Sequence, residues 1–487
     1  MHLGGYRPSI PLLSVVAFIA LLLATCLPPS YVGNMSMGYA GTLGQEQPNA
    51  SQGAILRLSS PVRDSSIAKR STLGSASQAE PAAQVHPLVV ERLLEDLSLE
   101  EKIGQLFMAF GYGRDADKVS PFEAEANTEL LGVTTLAEAI NRWHLGGVIY
   151  LGSNTLDQNR AGHSTDNLSD PIQIARLSKA LQTAAANDTE IGLLIAVDQE
   201  GGRVTRIGPP VTQFPAAAVF GVLANPDLTR AAATVTASEL RALGITQVLA
   251  PVADVLGPFH NPAIGDRSFS SDPALAAALV AAQVTGLQTG GVAATAKHFP
   301  GHGDTTVDSH HSLPVITHNR QTWQRVDRPP FDAAINAQVD VIMTGHLDVP
   351  ALDPTHTPAT LSSAITSTLL RHDLGFDGVV MTDSLRMKAV RGRIDDGELA
   401  VLAFQAGHDI LLMPPSLPQA ITAVRQAVAS GRITQQQLDT SVRRILRLKV
   451  QLGLIPAPHI DIPAAQDALG TPEHTAVREQ ISAACHC

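Results

Sequence analysis

Three cysteines in 487 residues are too few for a disulfide framework. Basic residues are also short: 34 Lys and Arg stand against 45 Asp and Glu, a formal net charge of −11. That balance argues against a nucleic-acid-binding protein, whose phosphate partner needs a basic surface. It leaves a neutral sugar or small-molecule substrate open. No Gly-x-Gly-x-x-Gly follows a strand-like run, so a dinucleotide-binding fold lacks its usual support. Beyond the N-terminus no segment is apolar for long enough to span a membrane. Charged residues make up only 16% of the chain and hydrophobic ones 44%, with 38 Gly and 32 Pro. This is the profile of a globular, loop-rich protein rather than a disordered one.

What is present begins with a targeting segment. Arg7 precedes an almost wholly apolar run from Leu12 to Leu27, about the length of a signal peptide's hydrophobic region and short for a membrane span. Leu23-Ala24-Thr25-Cys26 resembles a bacterial lipobox, with Thr25 where Gly, Ala or Ser is usual. Residues 1–27 therefore read as a signal peptide or a lipoprotein signal, and both routes stay open. The expectation is an exported protein: periplasmic, extracellular, or held at the cell surface through the N-terminus alone. Residues 28–85 are rich in Ser, Ala, Gly, Pro and Gln without a hydrophobic period, as a flexible tether is. At the other end, Cys485-His486-Cys487 supplies too few ligands for zinc, and residues 456–487 read as a tail.

From residue 86 to 455 short apolar runs alternate with helical stretches. The runs are 105–110, 147–151, 192–197, 247–252, 292–296, 340–343, 378–381 and 409–413. Helix-like segments between them include 172–186, 228–243, 273–288, 331–337, 363–372 and 418–430. Continuous apolar strands imply burial on both faces, hence a parallel sheet with helical crossovers. Eight such units predict an α/β fold of the closed (β/α)8 TIM-barrel type, whose functional residues sit just after the strands. Those positions hold Asp198, Asp254, Lys297, His298, His346 and Asp383.

The densest stretch is Lys297-His298-Phe299-Pro300-Gly301-His302-Gly303-Asp304, followed by Asp308-Ser309-His310-His311. His298, His302, Asp304, Asp308 and His310 are zinc-type ligands by residue class. Pro300 and the glycines, however, forbid the helix that would put His298 and His302 on one face. No metal and no other cofactor is expected. In Asp308-Ser309-His310 a carboxylate two residues from an imidazole can orient it as an acid or base. Surface histidines on a long loop are the plainer alternative.

These residues carry a resemblance. KHFPGHGD (297–304) followed by DSHHSLP (308–314) is similar to the signature of glycoside hydrolase family 3, in its single-domain β-N-acetylglucosaminidase (β-hexosaminidase) branch. DQEGGRVTR (198–206), Asp266-Arg267-Ser268-Phe269 and GVVMTDSL (378–385) match further family blocks in order, with Asp266 in place of an Asn. The resemblance spans roughly Val89 to Leu454. It implies a retaining exo-glycosidase that removes terminal N-acetyl-β-D-glucosamine, with peptidoglycan fragments as an expected source. Asp383 would be the nucleophile, His310 the proton donor and Asp308 its orienting carboxylate. Asp198, Arg206, Arg267, Lys297 and His298 would bind the sugar, while His302, Asp304, His311 and His346 would serve as loop scaffold.

Read on their own, some of these residues have other uses. Asp383 in Thr382-Asp383-Ser384 would also cap a helix. Lys297 would also pair with Asp198 or Asp254, and Arg206 could only cap a loop. Family members with a donor glutamate carry it on a second domain, and only 33 residues follow Leu454; the donor is therefore expected from the barrel. The alternatives in view are a phosphorylase, since a neutral imidazole repels phosphate less than a carboxylate does, a β-glucosidase or β-xylosidase, and a sugar-binding protein without catalysis. A monomer acting on carbohydrate is expected.

Overall fold

The computed structural model describes residues 87–152, 164–258, 261–392 and 394–485. The expected signal, the tether, Cys26 and Cys487 lie outside them. Each of the eight apolar runs yields a strand: β1 Phe107–Ala109, β2 Gly147–Tyr150, β3 Leu194–Val197, β4 Gln247–Val248, β5 Ala293–Phe299, β6 Val341–Thr344, β7 Val379–Thr382 and β8 Leu411–Leu412. They pair in parallel in the order β8-β1-β2-β3-β4-β5-β6-β7. A parallel bridge from Met381 to Ile410, with the Thr382 N–H donating to the Ile410 carbonyl at 3.0 Å, all but closes the sheet on itself. The architecture is a (β/α)8 barrel. Its strands are buried throughout, as continuous apolar runs require. Inside the barrel, the Gln247 amide donates to Thr295 Oγ1 at 3.0 Å and meets Met381 Sδ at 3.3 Å, joining β4, β5 and β7.

Helices follow every strand, more than one after some; the numbered ones are α1 Leu136–Trp143, α2 Pro171–Asp188, α3 Pro226–Ala242, α4 Pro273–Thr289, α5 Arg328–Asn336, the π-type α6 Ala364–Asp373, α7 Asp396–Ala406 and α8 Leu417–Ala429. Three starts share a mechanism. Asp170-Pro171, Asn225-Pro226 and Asp272-Pro273 put a side-chain acceptor at the N-cap and a proline where no N–H is needed. α9, Gln435–Gln451, lies against the end of the barrel where strands begin. Gln451 donates to Asp340, just before β6, at 2.8 Å; Arg444 reaches Asp409, just before β8, at 3.4 Å. The opposite rim is left for the site. Among the described residues no helix is long and apolar enough to cross a membrane.

The structure departs from the sequence reading in three places. Gln105, expected to open β1, ends the helix Leu99–Gln105. β4 stops at Val248 instead of reaching residue 252, although single contacts run on: the Thr295 N–H donates to the Ala250 carbonyl and Val252 bridges Lys297. The segment set apart as a tail folds through residue 485 into two helices, Ile462–Asp467 and Pro472–Ala484. Ile460, Ala465, Leu469 and Ile481 are buried there. The wholly buried Glu239 of α3 takes the Gly470 N–H and His474 Nδ1, each at 2.8 Å, besides the N–H and hydroxyl of Thr212. A long-range carboxylate thus fixes a segment whose own apolar spacing is sparse.

Lys449 of α9 is fully buried and donates to Gln105 Oε1 at 2.6 Å. Burial pulls its ammonium from 10.5 down to about 7. Between those values the unfolded chain holds the proton and the folded chain does not, so this residue makes stability rise with pH across that window. Lys449→Met, close in volume, should remove the slope. Its unfolding free energy in urea should exceed wild type most near pH 6.5, and the gap should close by on the order of 1 kcal/mol per pH unit toward pH 9.5. A constant gap would show that Lys449 stays charged in the folded chain.

Candidate active site

The site is built on the rim where strands end. Asp198 directly follows β3 and opens a hairpin formed by 199–201 and 204–205. Gln199 fixes that hairpin: its Oε1 accepts the N–H groups of Arg206 and Ile207 at 2.9 and 3.0 Å, and its amide donates to the Ile207 carbonyl. Gly201 turns the chain at φ +92, where an added Cβ would stand 2.5 Å from the Pro215 carbonyl. The turn brings the Arg206 guanidinium to 3.8 Å from Asp198.

At the end of β5, Lys297 is 3% exposed. Its ammonium meets Asp198 Oδ1 at 2.9 Å and Glu200 Oε1 at 2.6 Å. Glu200 is also held by Arg267 from the loop after β4, through two bonds of 2.8 Å. Burial would raise the Glu200 carboxyl, but Arg267 and Lys297 outweigh it and hold it far below the usual carboxylate range. Burial would likewise lower the Lys297 ammonium, and Asp198 with Glu200 holds it above its ordinary value. Next along the strand, His298 Nδ1 lies 2.7 Å from Asp254 Oδ2; Asp254 Oδ1 accepts the N–H groups of His298 and His302. Against the cost of burial, those histidines keep Asp254 below its usual value. His298 is thus oriented through Nδ1 by a buried carboxylate.

Asp383 directly follows β7. Its N–H donates to the Thr344 carbonyl at 3.0 Å, and one carboxylate oxygen takes the Ser384 N–H at 2.7 Å. It caps no helix: the next one, α7, is capped by Asp395. Burial would raise the Asp383 carboxyl, but the imidazoles of His346, His298 and His310 and the Ser384 N–H outweigh it and set it at about 2. His346 is wholly buried beneath, between Thr360 Oγ1 and the Ser384 carbonyl, each at 2.8 Å. Burial lowers its pKa, and that of His302 falls to about 4 for the same reason, so both are neutral near pH 7.

The loop after β5 brings His310 to the same cavity. Its Nδ1 lies 2.7 Å from Asp308 Oδ1, and its N–H donates to that same oxygen at 2.9 Å. Desolvation would raise the Asp308 carboxyl; the bonds from His310 hold it below its usual value. The pair remains partly open, with side-chain exposures of 35% for His310 and 24% for Asp308.

All eight residues named from the sequence, Asp198, Arg206, Arg267, Lys297, His298, Asp308, His310 and Asp383, line one cavity of about 600 Å³. Of the four set down as scaffold, His302 and His311 also line it, His346 lies under it and Asp304 stands apart. Sequence reasoning missed the part played by Glu200, which holds Lys297 and Arg267, and that of Asp254, which holds His298 and the His302 N–H. Asp254 was visible as a strand-end residue, and Glu200 as the acid two places after Asp198. It also missed Arg386, Lys388 and Arg391, which follow Asp383 and line the same cavity. Among the described residues no three His, Cys, Asp or Glu side chains are placed to hold a metal ion.

Residues 98–448 match the family model described as the glycosyl hydrolase family 3 N-terminal domain. The chain is 36% identical over 375 residues to β-hexosaminidase A of Pseudoalteromonas piscicida, covering 72% of this chain and 60% of that protein. To the β-N-acetylglucosaminidase/β-glucosidase of Cellulomonas fimi it is 32% identical over 364 residues, covering 72% and 64%. The chain thus spans less than two thirds of these two relatives. Among solved structures, a glycoside hydrolase family 3 β-N-acetylglucosaminidase from Paenibacillus sp. superposes with a TM-score of 0.69 at 39% identity, over 79% of this chain and 68% of that one. With the barrel, the rim and a family match over most of its length in agreement, the chain belongs to glycoside hydrolase family 3.

Proposed function

We propose that the protein is a retaining exo-glycosidase that hydrolyses terminal non-reducing N-acetyl-β-D-glucosamine. One observation carries this reading: Asp383 and the Asp308–His310 pair line the same cavity as a wall of cations and carboxylates. The relatives named β-hexosaminidase and β-N-acetylglucosaminidase support the choice of sugar.

Retention needs a nucleophile and a separate proton donor. Asp383, ionised down to about pH 2, attacks the anomeric carbon. As the glycosidic C–O bond breaks, Nε2–H of a protonated His310 gives its proton to the leaving oxygen. Asp308 holds Nδ1–H throughout and stabilises the imidazolium. In the second half His310 removes a proton from water, whose oxygen attacks the same carbon and releases Asp383. The electrostatics favour His310 over the other acids as donor. Asp198 and Glu200 are tied to Lys297, and Glu200 to Arg267 as well, so Glu200 carries no proton to give near pH 7. Asp304 is bonded to His318 and does not line the cavity.

Arg386, Lys388 and Arg391 support an acidic leaving group, such as the carboxylate-bearing sugar of a peptidoglycan fragment. The same cations favour a second reading, in which phosphate replaces water and the enzyme is a phosphorylase. Export through residues 1–27 belongs to the proposal and would bring the enzyme to wall fragments.

Three outcomes are expected. Asp383→Asn, isosteric, should keep the fold and lose several orders of magnitude in turnover, because the covalent step loses its attacking charge; near-normal turnover in a folded variant would refute the assignment. His310→Ala should lower kcat/KM about 100-fold or more on alkyl and glycosyl leaving groups and far less on activated aryl glycosides. Azide should then accelerate turnover of the accumulated glycosyl-enzyme. Lys388→Gln and Arg386→Gln should each weaken a carboxylate-bearing aglycone about tenfold relative to its amide analogue. If phosphate is required for turnover of a neutral aglycone, the phosphorylase reading replaces hydrolysis.

A further inference from the structure

The loop carrying Asp308 and His310 leaves the barrel at Phe299 and returns at 314–316. There Asp348 receives it: the Asp348 N–H donates to the Pro314 carbonyl at 2.9 Å, and the Ile316 N–H donates to the Asp348 carbonyl at 2.8 Å. On the outgoing foot stands Asp304; just past the returning foot stands His318. His318 Nε2 meets Asp304 Oδ2 at 2.6 Å, and Nδ1 meets Asp327 Oδ2 at 2.7 Å. Asp327 directly precedes α5, packs against Gly301, and follows Trp323, whose indole N–H donates to the Pro300 carbonyl at 2.9 Å. The imidazole therefore ties the outgoing foot, the returning foot and a fixed helix together. None of Asp304, His318 and Asp327 lines the cavity.

The chemistry of the trio explains why the tie is firm. Two carboxylate oxygens face the two ring nitrogens at hydrogen-bond distance, which calls for a proton on both nitrogens. The bond to Asp327 is the main reason the His318 imidazole is held above its ordinary pKa, with Asp304 adding to it, while burial pushes Asp327 up. The second oxygens of Asp304 and Asp327 are buried without a partner, so each carboxylate depends on His318 for its compensation. Losing the imidazole would leave both uncompensated. Inside the loop one further contact, Ser309 Oγ with His302 Nε2 at 3.1 Å, ties the tip to the outgoing foot.

We propose that His318 is a positioning residue that clamps the two feet of this loop through Asp304 and thereby sets His310 at the bond to be cleaved. The proposal rests on His310 being the proton donor. Closing a loop at its base removes conformations in which the tip is misplaced. A proton donor misplaced by about 1 Å loses much of its effect.

The test uses the full chain and two substitutions that split the imidazole. The amide of Asn reaches about where Nδ1 sits, so His318→Asn keeps the Asp327 contact and drops Asp304. The amide of Gln reaches about where Nε2 sits, so His318→Gln keeps the Asp304 contact and drops Asp327. kcat/KM is measured on methyl and 2,4-dinitrophenyl N-acetyl-β-glucosaminides, with His310→Ala in parallel and thermal unfolding as the check on folding. His318→Asn is expected to lose at least tenfold more on the methyl than on the dinitrophenyl glycoside, and His318→Gln less than threefold on either. Backbone hydrogen exchange over 305–313 should quicken in the Asn variant only. If His318→Asn fails to fold, Asp304→Ala, which removes the acceptor of His318 Nε2–H, carries the same expectation. Equal losses on both substrates, or equal behaviour of the Asn and Gln variants, overturn the clamp when His310→Ala still discriminates by leaving group. If His310→Ala does not discriminate, the donor assignment falls and the clamp with it.

Discussion

The rim is organised around one buried positive charge. Lys297, almost without solvent, needs carboxylates beside it, because an unpaired ammonium in that place would cost several kcal/mol. Asp198 and Glu200 answer it from the loop after β3, and Arg267 answers Glu200 from the loop after β4. Three separate rim segments thus take their positions from a single electrostatic cluster. A hydrophobic replacement for Lys297 would leave Asp198 and Glu200 to Arg206 and Arg267 alone and release the β3 loop from β5. The cluster costs desolvation energy that an apolar core would not, and what it provides is direction: charged hydrogen-bonding groups aimed at fixed points in the cavity.

That cluster also divides the labour of protons. Glu200, held by two cations, has no proton to give near pH 7, and His302 and His346 are kept neutral by burial. Asp383 is ionised. These rim groups can therefore supply charge and hydrogen bonds rather than a proton. In the proposed mechanism the acid comes from a loop that remains partly solvated, where an imidazole can exchange its proton with water between the two half-reactions.

Much of this was legible in the sequence for local reasons. Continuous apolar strands mark a parallel barrel because both faces are buried. Residues following the strands must then meet at one rim, which is how Asp198, Lys297, His298 and Asp383 could be named before any coordinates. What was not legible depends on partners far away in the chain. Nothing near Glu239 announces that it will receive Gly470 and His474. Glu200 reads as a loop acid until Arg267, 67 residues on, is seen to grip it. His318 sits in an unremarkable turn, and its meaning appears only when the loop's two feet meet.

The loop shows how firmness and access are reconciled. Its feet are held by buried groups: Asp254 takes the His302 N–H, Asn261 holds the carbonyls of His302 and Gly303, and Asp348 pairs with the return. Its tip, with Asp308 and His310, is held by shorter-range bonds: His310 to the Asp308 carboxylate, the His311 and Ser312 N–H groups to the Asp308 carbonyl, and Ser309 to His302. In the proposed mechanism this division matters: the pair has to meet a leaving group at a partly open tip, and feet as loose as the tip would scatter the imidazole over positions too far from the bond. Long-range, charged contacts at the base would then set where an exposed pair can act.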